Sequence, residues 1–278
     1  MNFFSPQRGE RESASWRWLA MFYVLTMWLF TGGAITLLAM AAVKNFEQPP
    51  VWAKMFEELA GFIPFFIAAL TVPLIYRRTL LSGVSSALHF RWNRYGLGIA
   101  SWAGINAIGV LFSFVTEPEQ LTFHFEAATF FPALAVGLLL LPIQTGAEEI
   151  FFRGVIPQML SKLLKSPWIV IAITSAIFAA LHLSNPEAQE SLILAFITFF
   201  VMGAGFGYIA YISGGLEIVL GAHFINNLSG LFVVGYDNSV IQGAPLWSVP
   251  AADLAASAVS TSILIVLWSV LVRRLIKN

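Results

Sequence analysis

The chain has 278 residues, of which 58% are apolar and 11% are charged, and its formal net charge is zero. Soluble domains carry about 25% charged residues, so this composition, with a mean hydropathy of +0.78, predicts an integral membrane protein. The balanced charge gives no indication of a nucleic-acid partner. Cysteine is absent, which excludes disulfides, thiolate metal sites and a cysteine nucleophile.

Eight segments are predicted to cross the lipid bilayer as helices, since a span needs about 20 mostly apolar residues. They lie at 17–43, 59–76, 96–115, 128–147, 167–183, 190–212, 216–235 and 254–272. The long uninterrupted apolar runs exclude a β-barrel, whose strands alternate in polarity. The sequence therefore predicts an all-α, polytopic membrane protein that forms a single domain over residues 1–278.

The basic residues predict the orientation of these spans. Of the 15 lysines and arginines, 13 lie in the tails or in alternate connections: Arg8, Arg11, Arg17, Arg77, Arg78, Arg91, Arg94, Arg153, Lys162, Lys165, Arg273, Arg274 and Lys277. The other connections hold Lys44 and Lys54 and are acidic, with Glu47, Glu57, Glu58, Glu117, Glu119, Glu126, Glu187, Glu190, Asp237 and Asp253. Because basic residues favour the cytoplasmic side, we expect a plasma (inner) membrane protein with both termini in the cytoplasm.

Three charged residues lie close together at predicted membrane depth, in the stretch "TGAEEIFFRG" (145–154). An ionised side chain at the bilayer centre costs about 3 kcal/mol, so such residues are rare there. On a helix Glu149 and Arg153 are four residues apart and can pair. Glu148 lies about 100° away around the helix and can face a cavity. A purely structural ion-pair cluster of all three is the alternative.

Two histidines lie in later predicted spans, His182 four residues after Phe178 and His223 four residues before Asn227. A lone histidine in an apolar helix is usually a structural residue. However, if "SKLLKSPW" (161–168) forms a turn, Glu148 and His182 are each 17 residues from Lys165, or roughly 25 Å. The two side chains would then lie at the same level in the membrane.

These residue types together suggest hydrolysis. A carboxylate beside an imidazole can transfer protons to and from water and a leaving amine, and a second imidazole with an amide can stabilise an oxyanion. Glu148, His182 and His223 could instead bind zinc, although neither H-E-x-x-H nor G-x-S-x-G is present. Gly203 and Gly207 have the spacing of close helix contacts and predict ordinary helix packing.

The motifs E-E-x-x-x-R, F-x-x-x-H and H-x-x-x-N, in this order across eight spans, resemble those of the CPBP intramembrane proteases. This family includes the type II CAAX prenyl endopeptidases and bacterial Abi proteins associated with bacteriocin immunity. The stretches "FRWNRYGLG" (90–98) and "GGLEIVLGAHFINN" (214–227) resemble its bacterial branch. The resemblance implies a peptidase with a buried intramembrane active site, open to the cytoplasm, and a catalytic core at about 140–230.

By position, the resemblance implies that Glu148 with His182 activates water and that His223 with Asn227 holds the oxyanion. It assigns supporting roles to Glu149, Arg153 and Phe178. The expected substrate is a membrane-associated protein or peptide.

A metal-free mechanism is favoured and no cofactor is expected, with a zinc peptidase using the same residues as one alternative. A non-catalytic immunity-type protein is another. A transporter with a proton relay is the last, and it would be expected to have inverted repeats, which the sequence does not show.

Overall fold

The computed structural model describes residues 3–4, 13–44, 46–116, 118–250 and 254–277. Arg8, Arg11, Glu117 and Asp253, which entered the orientation argument, lie outside these ranges. The described residues form eight main helices: α1 (Ala14–Val43), α2 (Val51–Ile75), α3 (Trp92–Thr116), α4 (Ala127–Leu160), α5 (Pro167–Leu181), α6 (Leu192–Ser213), α7 (Glu217–Phe232) and α8 (Leu254–Leu275).

The predicted class, an all-α, polytopic membrane protein, is confirmed. Within the described ranges, seven helices are long and apolar enough to cross a membrane, with α5 counted through the turn that ends at Ser184. The predicted span at 216–235 is the exception, because α7 has 16 residues and is about 24 Å long. It packs against α3, α4 and α6, so neighbouring helices, rather than lipid, surround much of its surface.

Two helices extend beyond their predicted bounds. Helix α2 begins at Val51 and not at residue 59, because Met55 and Leu59 are buried on one face while the polar residues occupy the others. Helix α4 continues past residue 147 to Leu160 and has a π-helical segment at Ile150–Val155. Pro157 follows this segment, and proline has no N–H and crowds the carbonyl four residues earlier, which favours a widened turn. Such turns are frequent at functional sites.

Helix α4 forms the centre of the structure. Residues 144–158, which include all three charged residues of the sequence motif, are buried without exception. The α4 helix contacts α2 and α7, and its π-helical segment contacts α5 and α6. The charged residues therefore lie inside the helix bundle and not at its lipid-facing surface.

The connections gather at two opposite ends of the bundle. The basic end contains the connections α2–α3, α4–α5 and α6–α7, and the acidic end contains the connections α1–α2, α3–α4, α5–α6 and α7–α8. At the basic end, Ser86 N–H donates to the Gly214 carbonyl at 3.0 Å, and Gln158 Nε2 donates to the Ser82 carbonyl at 3.2 Å. At the acidic end, a small sheet adds to the predicted all-α fold, with β1 (Thr122–Phe123), β2 (Val234–Tyr236) and β3 (Trp247–Val249) in the order β1-β3-β2. Strand β3 is antiparallel to β1 and parallel to β2.

The glycine spacing in α6 serves helix packing, as predicted. A methyl group at Gly203 would lie 3.1 Å from Cβ of Ser175, and one at Gly207 would lie 3.2 Å from Cγ2 of Ile171. These contacts bring α5 and α6 together along their length.

An ion pair at the basic end fixes the start of α7. Arg91 Nε and Nη2 donate to the two carboxylate oxygens of Glu217 at 2.7 and 2.6 Å, and Arg91 Nη1 donates to the Ser213 carbonyl at 3.0 Å. Glu217 is fully buried and Arg91 is 16% exposed. The two-pronged contact links the segment before α3 to the α6–α7 turn, and so sets the depth of α7 in the bundle.

Replacing Glu217 with glutamine should destabilise the protein by roughly 3 kcal/mol, because it leaves a mostly buried guanidinium without its counter-charge. The apparent melting temperature of detergent-purified protein, followed by tryptophan fluorescence, should fall by about 5–10 °C. The exposed Glu190→Gln variant is the control and should melt as the wild type does. Equal melting of the two variants would contradict a stabilising role for the Arg91–Glu217 pair.

Candidate active site

Glu149 joins α4 to α7. Its carboxylate is completely buried, and Oε1 lies 3.0 Å from Arg153 Nη1 and 2.7 Å from His223 Nδ1. The pairing with Arg153 that the spacing predicted is therefore present. Arg153 Nη1 is at ion-pair distance without hydrogen-bond alignment, and its Cζ lies 4.1 Å from the centroid of the Phe178 ring. A cation–π contact thus shares in stabilising the charge.

Glu148 has a different environment, although it is the adjacent residue. Its Oε1 accepts a hydrogen bond from Gln144 Nε2 at 2.6 Å. Its Oε2 has no hydrogen-bond partner within the described chain and lies 3.7 Å from His223 Nε2. The side chain is 93% buried yet lines a cavity. The rotation between adjacent helical residues therefore places Glu148 at the cavity and Glu149 behind its wall.

His182 lies at the C-terminal end of α5, where the helix tightens into a 3-10 turn. Its Nδ1 is 2.8 Å from the carbonyl oxygen of Phe178. A carbonyl can only accept a hydrogen bond, so Nδ1 carries the hydrogen and Nε2 is the remaining nitrogen. The imidazole centroid lies 4.2 Å from the ring of Phe178 and 4.4 Å from that of Phe199, and these two contacts hold its orientation.

The same argument assigns the hydrogen on His223. Its Nδ1 contacts Glu149 Oε1, and an ionised carboxylate only accepts, so Nδ1 is a donor. This leaves Nε2 directed towards Glu148. A neutral His223 would therefore offer a lone pair at the cavity, and it can donate there only when both nitrogens are protonated.

A directional chain of hydrogen bonds leads to Glu148. An indole N–H only donates, so Trp102 Nε1 fixes Asn226 Oδ1 as its acceptor at 3.0 Å. Asn226 Nδ2 then donates to Asn227 Oδ1 at 3.1 Å, and Asn227 Nδ2 donates to Gln144 Oε1 at 3.0 Å. Gln144 Nε2 completes the chain on the Glu148 carboxylate. The orientation of each amide is set by this network.

Gln144 is the site residue that the sequence analysis missed. It lies four residues before Glu148, on the same helical face, and it is 96% buried. A polar side chain at this spacing in an apolar run was a usable signal.

One cavity of about 700 Å³ brings four predicted catalytic residues together: its lining includes Glu148, His182, His223 and Asn227. Phe178 also lines it. Glu149 and Arg153 do not line it and lie behind the wall. Helices α1, α2, α3, α6 and α8 and the segment that follows α7 supply the remaining sides of the cavity. No group of three His, Cys, Asp or Glu side chains in the described part of the chain is close enough to hold a metal ion.

The cavity extends to the acidic end of the bundle, where residues 239–241, Tyr236 and Glu187 line it. Desolvation, and the nearby Glu187 carboxylate, raise the pKa of Tyr236 to about 12, so this phenol stays uncharged. Two expectations from the sequence conflict over the side of the membrane to which the cavity opens. The family resemblance implies that the active site opens to the cytoplasm. The basic residues instead place the acidic end, to which the cavity extends, on the opposite side of the membrane.

Fold and site together define a polytopic helical membrane protein with carboxylate, imidazole and amide groups around one internal cavity. Residues 127–229, from the start of α4 to near the end of α7, match the family described as type II CAAX prenyl endopeptidase Rce1-like. The family resemblance drawn from the three motifs is thereby confirmed over this segment.

The chain is also similar to a protein of Bacillus subtilis (strain 168), the uncharacterized protein YyaK. The two are 33% identical over 177 residues, which is 63% of this chain and 59% of that protein. The similarity thus spans less than two thirds of the length of the relative.

The two adjacent glutamates should differ in their effect on stability. Glu149→Gln removes the charge that Arg153 and His223 share and should cost about 3–5 kcal/mol. Glu148→Gln keeps an oxygen that accepts from Gln144, and should cost less than about 1 kcal/mol. Melting temperature and membrane yield of the two purified variants measure this difference. Similar losses in both variants would contradict the division between them.

Proposed function

We propose that the protein is an intramembrane endopeptidase that hydrolyses a peptide bond of a membrane-associated protein or peptide. The observation that carries this proposal is the placement of Glu148. The residue lines the cavity, and its Oε2 is buried, lies 3.7 Å from His223 Nε2 and has no hydrogen-bond partner within the described residues. A buried carboxylate oxygen without a partner is costly, and a water molecule and a substrate would supply the missing donors.

In the proposed first step, Glu148 acts as the general base. It takes a proton from a water molecule, and the hydroxyl oxygen forms a bond to the carbonyl carbon of the substrate. His182 Nε2, which is free because Nδ1 donates to the Phe178 carbonyl, holds this water. The chain of amides that ends on Glu148 Oε1 fixes the direction of the carboxylate.

In the same step, charge develops on the substrate oxygen. His223 and the second amide hydrogen of Asn227 are the proposed donors to this oxyanion. For this role His223 must carry a second proton on Nε2.

In the second step, the carbon–nitrogen bond breaks and the leaving amine takes the proton from Glu148. The carboxylate is regenerated, and the products are a new carboxylic acid and a new amine. Glu149 and Arg153 touch neither the water nor the substrate in this scheme. They position His223, because Glu149 holds its Nδ1.

Zinc chemistry with the same residues is the alternative mechanism. Both histidines donate through Nδ1 and leave Nε2 free, as in many zinc-binding histidines. However, the described residues contain no three such side chains at metal-binding separation. The donor set as placed does not fit a metal, and the proposed steps do not use one.

Glu148→Gln should lower cleavage by about 10²–10⁴-fold, because it removes the general base. The measurement uses detergent-purified protein and a library of quenched-fluorescent apolar peptides, with products identified by mass spectrometry. Glu190→Gln is the matched control and should retain wild-type rates.

Metal content is measured on the same active samples by elemental analysis. Near-stoichiometric zinc, with activity lost to a chelator and restored by zinc, would contradict the metal-free mechanism. Absence of cleavage by the wild type, in protein shown to bind such peptides, would favour a non-catalytic immunity-type protein.

We further propose that both termini are cytoplasmic in the plasma membrane, and that the cavity opens on the opposite side. The chain has no cysteine, so single cysteines can report orientation directly. Gln120→Cys, exposed at the acidic end, should react with a membrane-impermeant maleimide in intact cells. Lys165→Cys, exposed at the basic end, should react only after permeabilisation. The reverse pattern would show that the cavity faces the cytoplasm, as the family resemblance implies.

A further inference from the structure

Three neighbouring helices supply uncharged polar side chains to the cavity. They include Asn106 of α3, Asn226 and Ser229 of α7, and Thr261 of α8. The phenylalanine and tryptophan side chains that line the cavity come from the other five helices and are Trp28, Phe62, Phe152, Phe178 and Phe199. The cavity therefore offers a hydrogen-bonding side and an aromatic side to whatever it binds.

Three of the polar side chains make no hydrogen bond within the described part of the chain, namely those of Asn106, Ser229 and Thr261. Asn226 differs from them, because its amide belongs to the chain of hydrogen bonds that ends on Glu148. Polar side chains in membrane helices usually bond to a neighbouring helix, and polar groups inside a protein are normally satisfied. The three unpartnered side chains therefore indicate a ligand with its own donors and acceptors.

The packing of α3 against α7 sets the depth of Asn106. Trp102 Nε1 donates to Asn226 Oδ1 at 3.0 Å, and both helices begin at the basic end. Asn106 follows Trp102 by four residues, so it lies on the same face of α3, about 6 Å nearer the acidic end. The amide of Asn106 is thus about one helical turn from the level of Asn226 and of Asn227, the proposed oxyanion donor.

Thr261 lies at nearly the same depth on α8. Trp268 Nε1 donates to Ser101 Oγ at 2.9 Å, which aligns α8 with α3 at that level. The two helices run in opposite directions, and Thr261 precedes Trp268 by seven residues while Asn106 follows Ser101 by five. These separations correspond to about 10 Å and about 8 Å towards the acidic end. An amide and a hydroxyl therefore face the cavity from adjacent helices at similar depth.

We infer, on the basis of the proposed function, that Asn106 and Thr261 bind the backbone of the substrate peptide close to the scissile bond, while the aromatic side receives its apolar side chains. An extended peptide rises about 3.3 Å per residue, so one helical turn corresponds to about two residues of substrate. Ligand sites typically combine apolar walls with a few polar groups that fix orientation. The volume of about 700 Å³ has room for a short peptide segment.

The test uses the full-length protein in phospholipid nanodiscs and a short, mostly apolar, quenched-fluorescent peptide. In a matched set of peptides, an ester replaces one non-scissile amide at a time, which removes the N–H donor and weakens the carbonyl acceptor. For the wild type, kcat/KM should fall about fivefold at one position close to the scissile bond. In Asn106→Leu, KM for the unmodified peptide should rise about fivefold with little change in kcat. The sensitive ester should then have no further effect.

Thr261→Val is the second variant and should also raise KM. Asn93→Leu is the matched control, since Asn93 lies on the same helix, is exposed and does not line the cavity. It should keep the wild-type KM and the wild-type ester pattern. The melting temperature of Asn106→Leu should not fall, because Asn106 makes no hydrogen bond within the described chain.

Two results would overturn the inference while leaving the protease function intact. A lower melting temperature of Asn106→Leu with an unchanged KM would show a structural role for this residue. A lower kcat with an unchanged KM and ester pattern would show that the polar side conducts water and does not bind the peptide backbone.

If the wild type cleaves none of these peptides, the proposed function fails and binding decides the inference separately. Fluorescence anisotropy of labelled amide and ester peptides on wild-type and Asn106→Leu protein is then the measurement. Weaker binding of one ester peptide to the wild type, with no such difference for Asn106→Leu, would support the inference without catalysis. Equal affinities would overturn it.

Discussion

The Glu149 carboxylate is the interaction on which the other site geometry depends. One oxygen serves both Arg153, on its own helix, and His223, on α7. It is completely buried, so the guanidinium and the imidazole must both be present for this carboxylate to be tolerated there. The same contact fixes which nitrogen of His223 faces Glu148. A charged cluster at membrane depth must be shielded from lipid, and the buried stretch 144–158 provides such a position.

The short α7 and the structured loops give the cavity its shape. Helix α7 ends at Phe232, within the bundle, and strand β2 follows almost directly, so that Val234 and Tyr236 reach the cavity. At the same end, α5 stops at Leu181, just before His182, and Glu187 ties the next turn to Val240. Two helices that end early therefore leave a space that full-length spans would have filled. Glu58 and Glu148 are among the residues that line this space.

The segment that matches the Rce1-like family and the walls of the cavity are not the same part of the chain. The match at 127–229 contains every residue to which we assign chemistry. Glu58 on α2, Trp102 on α3 and Leu264 on α8 lie outside it, although Glu58 and Leu264 line the cavity and Trp102 orients the amide chain. The match thus covers the residues of the proposed reaction, whereas helices that it does not cover supply part of the cavity wall.

The sequence by itself determined the membrane class, most of the spans, the alternation of the connections and the Glu149–Arg153 pair. Each of these depends on composition or on spacing along one helix, which are local properties. Only the tertiary structure decided that His223 binds Glu149 through Nδ1, that Gln144 and Asn226 orient Glu148, and that Glu58 faces the same cavity. These contacts join residues up to 124 positions apart, and they depend on helix tilts, on the π-helical segment before Pro157 and on where α5 and α7 end. Apolar runs carry no information about tilt, since lipid accepts the same residues at any angle.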